Sequence, residues 1–305
     1  MVEASRRPNA LIIGAAKAGT TALVRCLQQH EQVFVSRKKE PEFFSHDANF
    51  ARGLGWYEAL FAGGESSAVR IEASTAYARW PEHPAAASRI AAALGEVKLI
   101  YLVREPVARA YSHYVHRVTK ELYPGQPVPV SFEQHVAEDT MCINSSRYMD
   151  QIEQYLVHYD ERSLLVLEQE RLVREPARVL SQVCAFLGIA DRGAALAREM
   201  GYRRGSDELE ARAREDVIAR LKRWPGVELA SRMVPAGGRA LAYRGLGLLP
   251  GVARRRAALS PPAMRDATRR ELAAYFRPHN ARLARFTRWD LSHWSDGATV
   301  VGQGK

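Results

Sequence analysis

The chain of 305 residues is 47% hydrophobic and 26% charged, an ordinary composition for a soluble globular protein with room for one large core or two smaller ones. Its net charge of +10 points to a polyanionic partner, an anionic membrane surface or a multiply charged cofactor, and says nothing about fold. Three cysteines, Cys26, Cys142 and Cys184, exclude a disulfide framework and a cysteine zinc site, and fit a reducing compartment.

The first residues, MVEASRRPNA, carry no apolar leader core, and no window has the uninterrupted apolar length of a membrane span. The expectation is a cytoplasmic protein, with peripheral membrane contact through its basic C-terminal region. Ala10 to Ile13 is apolar without alternation, which predicts a buried parallel strand. Gly14 ends it. From Gly14 to Gly19 a loop of small residues carries Lys17, and Thr20 and Thr21 open a helix with Ala22, Leu23, Cys26 and Leu27 on one face. Strand, glycine loop and helix N-terminus together form a concavity that favours phosphate or sulfate. The order departs from the nucleotide pattern G-x-x-x-x-G-K-[ST], because Thr20 follows the second glycine and the lysine lies inside the loop. Such a cradle suits a 5′-phosphate without a metal-bound γ-phosphate. The plainer reading is a tight turn and nothing more.

Gln32 to Ser36 reads as a strand, followed by RKKEPEFF (Arg37 to Phe44). Pro41 bars a helix, so Glu40 falls in an extended or turn segment that can project into a cleft, with Phe43 and Phe44 anchoring it. On pattern alone, a solvated pair with Lys38 or Lys39 is the plainer role for Glu40. Gly53 to Phe61 is an aromatic-rich amphipathic turn or helix, Val69 to Ser74 a strand with Glu72 near its end, and Pro84 to Leu94 a helix stopped by Gly95. Lys98 to Val103 is a second apolar strand. It ends at Arg104-Glu105-Pro106, and Pro106 starts a helix Val107 to Val118. Arg104 thus stands at the carboxyl end of a parallel strand, where open α/β sheets bind ligands, and Ser112 follows two turns on. A guanidinium fork with a hydroxyl suits a phosphate monoester. The alternative is an ion pair of Arg104 with Glu105 or Asp150.

Tyr123 to Val130 is a proline-rich loop expected over the cleft mouth, and Phe132 to Glu138 begins a helix. Ser145 to Tyr159 is a helix with an apolar stripe, Leu164 to Leu167 a third strong strand, and Pro176 to Leu187 its following helix. Apolar strands alternating with helices mean an α/β sheet with right-handed crossovers. From 190 to 262 the pattern loosens into a basic, glycine-interrupted stretch, read as an insertion facing lipid or polymer. Met264 to Phe276 and Asn280 to Phe286 are expected as two helices broken at Pro278.

Three separated segments resemble sulfotransferases that use 3′-phosphoadenosine-5′-phosphosulfate (PAPS), especially the heparan sulfate type and its bacterial relatives. They are GAAKAGTTAL (Gly14 to Leu23), YLVREPVARAYSHY (Tyr101 to Tyr114) and ELAAYFRPHNARLARFTRWDLSHW (Glu271 to Trp294). The resemblance implies one sulfotransferase domain over 1–305, with a P-loop-like three-layer α/β fold. A central parallel sheet flanked by helices would carry a basic helical C-terminal region. It implies that Lys17 and the loop positions Ala18, Gly19, Thr20 and Thr21 hold the phosphosulfate, and that Arg104 and Ser112 hold the 3′-phosphate. Arg255, in the basic run Arg254 to Arg256, would close over the nucleotide. KEPEFF (Lys39 to Phe44) is similar to the heparan-type segment whose first glutamate is the catalytic base, which puts that role on Glu40. Where relatives have Glu-Lys-Thr/Ser-Pro-x-Tyr this chain has EASTAY (Glu72 to Tyr77), so Glu72 is a substrate-side candidate. The lysine missing at Ala73 speaks against heparan itself. Arg147 of SSRY is a further substrate-side candidate, and His46 an alternative base of the kind small-molecule sulfotransferases use.

The implied partner is a hydroxyl-bearing glycan or glycoconjugate, with no nucleic acid and no metal. Two other classes stay open at this point. A P-loop nucleotide kinase would need magnesium and a lysine after Gly19; a noncatalytic basic module binding polyanions would need neither Lys17 nor Glu40.

Overall fold

The computed structural model describes residues 6–124, 126–200 and 259–294. Five strands form one parallel sheet: β1 (Ala10–Gly14), β2 (Val33–Val35), β3 (Val69–Ala73), β4 (Lys98–Val103) and β5 (Leu164–Glu168), in the order β2-β3-β1-β4-β5. Their side chains explain the arrangement. β1 is buried along its whole length, as are Leu99 to Val103 of β4, because strands covered on both faces must be apolar throughout. The flanking helices supply that cover. The order also makes β1 the switch point: the chain leaves it toward β3 and β2 on one side and β4 and β5 on the other. Ligands of open α/β sheets bind at the carboxyl end of such a strand.

The helices follow the sequence expectations closely where caps are explicit. They are α1 (Thr20–Leu27), α2 (Asp47–Phe50), α3 (Leu54–Ala59), α4 (Ala86–Leu94) and α5 (Pro106–His116), then α6 (Phe132–Glu138), α7 (Met141–Asn144) and α8 (Tyr148–Leu156). Among the described residues the rest are α9 (Gln169–Arg174), α10 (Pro176–Leu187), α11 (Gly193–Arg198) and α12 (Asp266–Thr287). α4 stops at Gly95 with φ +64, and α10 at Gly188 with φ +75. Contacts divide the described residues into two compact units. The first, with the whole sheet, comprises 6–111, 139–200 and 265–294; the second comprises 112–124, 126–138 and 259–264. In the second, α5 runs on into a π-helical turn, Arg117–Leu122, and Tyr114 donates to the Val130 carbonyl (2.7 Å) and packs on Phe132.

Three expectations are corrected. α12 is one helix with Pro278 inside it, where two were expected. Proline removes one i→i−4 bond at a cost of about 3 kcal/mol, but Ala273, Phe276, Asn280 and Leu283 on both sides of it are buried as one stripe. Arg282 also pairs with Asp150 (2.6 Å) and Glu153 (2.6 Å) of α8. The helix expected from Ser145 starts only at Tyr148. Ser145 and Ser146 turn their hydroxyls back onto the Met141 and Cys142 carbonyls (2.8 and 3.2 Å), and Arg147 has non-helical ψ 78, so SSR forms a corner. The loose stretch expected from 190 opens with an ordered helix, α11; residues 201–258 of it lie outside the described residues.

Candidate active site

The loops after β1, β2 and β4 leave the carboxyl edge of the sheet and carry Lys17, Glu40 and Arg104 in turn, while Glu72 lies within β3 itself. After β1, Gly14 has φ +155, and a Cβ there would come 3.0 Å from Ala78 Cβ and 3.1 Å from Tyr101 Cε2. Lys17 (φ +70) and Gly19 (φ +97) are left-handed, which wraps the loop tightly onto α1. Gly19 is the N-cap of α1 and makes no side-chain cap bond, so it leaves the first-turn N–H groups of Thr20 and Thr21 without a capping side chain of its own. One donor expected there is already engaged. The Ala18 N–H closes the loop on the Ala15 carbonyl (3.1 Å), which takes it out of the ligand-facing set.

The loop's carbonyls are held from behind by two arginines. Arg104, directly after β4, donates from Nη1 to the Lys17 carbonyl (3.3 Å). Arg109, fully buried on α5, donates to the Ala16 carbonyl (3.2 Å), to Ser146 Oγ (2.7 Å) and to the Cys142 carbonyl. These bonds fix the Ala16 and Lys17 carbonyls and with them the path of the loop. Arg109 has no counterpart among the sequence candidates: an arginine in VARAY reads as a solvent-facing helix position. Its only signal is that it repeats the charge of Arg104 five residues on.

The backbone of Arg104 is itself fixed. Its N–H donates to the Tyr148 hydroxyl (3.3 Å), which donates to its carbonyl (2.6 Å). The carboxylates that could have claimed the guanidinium are engaged elsewhere. Glu105 accepts from Val107 and Ala108 N–H (2.9 and 2.6 Å) at the start of α5, and burial pushes its carboxyl up. Asp150 is within 3.0 Å of Arg147 and 2.6 Å of Arg282. Ser112 is half-buried on α5, where the second unit begins. Arg255 lies outside the described residues.

After β2, the segment bearing Glu40, expected as extended or a turn, has left-handed backbone at two positions. Glu40 has φ +46 and Glu42 φ +52. The residue before a proline normally avoids this region, and such strain costs about 1–3 kcal/mol, so neighbouring bonds must hold it. They do. Thr75 Oγ1, just past β3, donates to Glu40 Oε2 (3.3 Å), and the Glu42 N–H donates to Ser74 Oγ (3.0 Å). Phe43 and Phe44 are fully buried, Phe43 stacked on Tyr57 (4.6 Å) and Phe44 edge-on to Tyr77 (5.6 Å). The pair with Lys39 exists at 4.0 Å from a lysine side chain that is 66% exposed, which makes it a weak, solvated contact.

Glu72 is the clearest correction. Expected on the substrate side, it is fully buried, and its oxygens receive Tyr57 (3.0 Å), Tyr77 (2.6 Å) and Ser74 (3.0 Å) hydroxyls. Burial pushes it up to about 7. A carboxyl enclosed in this way touches no acceptor. Arg147 likewise faces inward to Asp150 and lies 5.9 Å from the Trp80 ring, so it is a structural pair here. His46 has Ser45 Oγ (3.0 Å) and Glu42 Oε2 (3.6 Å) as polar neighbours, and its ring lies tilted against that of His83 (4.6 Å). The structure therefore joins Glu40 to Thr75, and Arg104 to the Lys17 loop. Among the described residues, no group of three His, Cys, Asp or Glu side chains could hold a metal.

A family model described as a sulfotransferase domain matches residues 7–199. The chain is 35% identical over 188 residues to heparan sulfate glucosamine 3-O-sulfotransferase 3B1 of Homo sapiens, covering 60% of this chain and 46% of that protein. It is 31% identical over 199 residues to heparan sulfate glucosamine 3-O-sulfotransferase 5 of Mus musculus, covering 61% and 54%. The chain thus spans about half the length of the curated relatives it matches. A crystal structure of a sulfotransferase from Alicyclobacillus acidocaldarius superposes with TM-score 0.64 at 25% identity, over 94% of this chain and 98% of that one. The sulfotransferase domain of the Synechococcus PCC 7002 olefin synthase shares the fold, with TM-score 0.50 at 17% identity over 95% and 98%.

Proposed function

The chain belongs to the sulfotransferase domain family, and from that premise we propose that it transfers the sulfuryl group of PAPS to a hydroxyl of a glycan, glycolipid or natural product. The observation that supports this reading is the 3.3 Å bond from Arg104 to the Lys17 carbonyl, which brings that arginine and the lysine-bearing loop together beyond the end of β1. The donor's two ends demand such a pair. When bound, PAPS supplies the transferable sulfuryl group on a 3′,5′-bisphosphate leaving group.

The residues fit that ligand. Gly19 brings no capping side chain to α1, the Thr20 and Thr21 N–H groups and the charge of Lys17 suit the phosphosulfate, and the Arg104 guanidinium suits the 3′-phosphate. Lys17 is assigned to the bridging oxygen on which charge builds. Electrostatics and alignment of this kind supply most of the catalysis in comparable group transfers. Glu40 takes the proton of the acceptor hydroxyl as that oxygen is sulfated. The names of the matched relatives support a glycan acceptor. Alanine at 73, where the resemblance places a lysine, argues for one other than heparan. A cytoplasmic protein with peripheral membrane contact through basic residues 190–262 fits the net charge of +10.

Two measurements test the reading. Incubation with radiolabelled PAPS and fractionated extracts is expected to label one acceptor fraction, and Glu40→Gln to abolish labelling while donor affinity persists. 3′,5′-Bisphosphoadenosine at 100 times its Kd is expected to stabilise the fold by about 2.7 kcal/mol. Absence of that protection, or equal protection by magnesium ATP, refutes the assignment.

A further inference from the structure

We propose that Glu72 is a positioning residue: its buried carboxyl fixes Ser74, and Ser74 fixes the strained turn that presents Glu40. The inference rests on the reading of Glu40 as the acceptor-side base. A carboxyl on a core strand, with no exposure, is costly to bury and gives nothing to packing. Its surroundings show where the compensation goes. Oε1 accepts from the Tyr57 and Tyr77 hydroxyls, and Oε2 from Ser74 Oγ.

Each donor is also a support of the loop after β2. Tyr57, from α3, is the ring on which Phe43 stacks, and Tyr77 is the ring that Phe44 meets edge-on. Ser74 Oγ accepts the N–H of Glu42, the second left-handed residue of the turn. Thr75, next in the chain, donates to Glu40 itself. The turn is therefore held on three sides by groups that converge on one carboxyl.

The chemistry of the carboxyl sets the direction of these bonds. In its ionised form, above about pH 7, the carboxyl only accepts, so the Ser74 hydroxyl hydrogen points at Glu72, which leaves the Ser74 lone pair for the Glu42 N–H. An amide at position 72 breaks that pattern in either orientation. With its NH2 toward Ser74, the serine hydrogen is displaced toward the Glu42 donor; with its NH2 toward the tyrosines, two hydroxyl donors face a third. The turn loses its acceptor or its aromatic seats.

Hydrogen–deuterium exchange of the full chain, resolved at the Glu42 amide, tests this. Glu72→Gln and Ser74→Ala are each expected to speed exchange at Glu42 by about tenfold, with β1 and β4 and the affinity for 3′,5′-bisphosphoadenosine unchanged. The double variant is expected to be no faster than either single one, because both cut one chain of bonds. Ser74→Ala keeps the test alive should Glu72→Gln fail to fold. Unchanged Glu42 exchange in the variants, or acceleration spread evenly through β1 and β4, overturns the proposal. The base assignment fails separately: Glu40→Gln that still moves label from radiolabelled PAPS would refute it, whatever the exchange shows.

Discussion

Two titrations at the rim of the site, of buried Glu72 and half-buried His83, pull stability in opposite directions with pH. Burial raises Glu72 from 4.5 to about 7, so between these values the folded chain keeps a proton that the unfolded chain has lost. The stability this provides is complete below about pH 4.5 and disappears as pH rises through about 7. His83 is pushed down from 6.5 to about 4 by burial and then by His46, so its contribution is present above pH 6.5 and is lost on acidification toward 4. Melting curves of Glu72→Gln beside wild type are expected to show the wild type losing relative stability from pH 4.5 to 7.5, by at most on the order of 3 kcal/mol. His83→Gln is expected to show the reverse slope below pH 6.5. A pH-independent difference in both variants removes the account. At this scale the sequence says little by itself. Glu72 looks like any strand carboxyl, because its burial depends on hydroxyls from Tyr57 and Tyr77 that only the packed fold brings to it. Arg109 is hidden for the same reason.

Elements were more legible, and unequally so. β1, β4 and α10 could be read almost to the residue, since an unbroken apolar run and explicit Pro and Gly punctuation are local signals. Pro278 misled because its local meaning was overruled by tertiary packing: a stripe buried on both sides of it keeps α12 one helix. Two expected outcomes follow from opposite uses of backbone freedom. Pro278→Ala restores an N–H to α12 and is expected to raise unfolding stability by about 1–3 kcal/mol with nucleotide affinity unchanged, measured in urea. Gly14→Ala is expected to lower it by about 2 kcal/mol or more, because the new Cβ meets Ala78 and Tyr101 in a conformation that alanine rarely adopts. A neutral Gly14→Ala would mean that the loop can shift away from β4.

For the whole molecule, what the sequence withheld was adjacency. Lys17 and Arg104 lie 87 positions apart, and only the order β3-β1-β4 puts the ends of β1 and β4 next to each other. That adjacency makes a sharper claim than two independent grips would. If Arg104 served the 3′-phosphate alone, Arg104→Ala would not alter affinity for adenosine 5′-phosphosulfate, which has no 3′-phosphate. Because its guanidinium also braces the Lys17 carbonyl, its loss is expected to loosen the loop and weaken that ligand as well, by about two- to tenfold, the worth of one such hydrogen bond. The loss for 3′,5′-bisphosphoadenosine should be larger, since the phosphate contact goes with the brace. Titration calorimetry of both ligands against wild type, Arg104→Ala, Lys17→Ala and the double variant separates the two contributions. Coupling between positions 17 and 104 of about 0.5–3 kcal/mol for the ligand lacking the 3′-phosphate is the expected result, and strict additivity would show that the sheet places the two grips together without linking them.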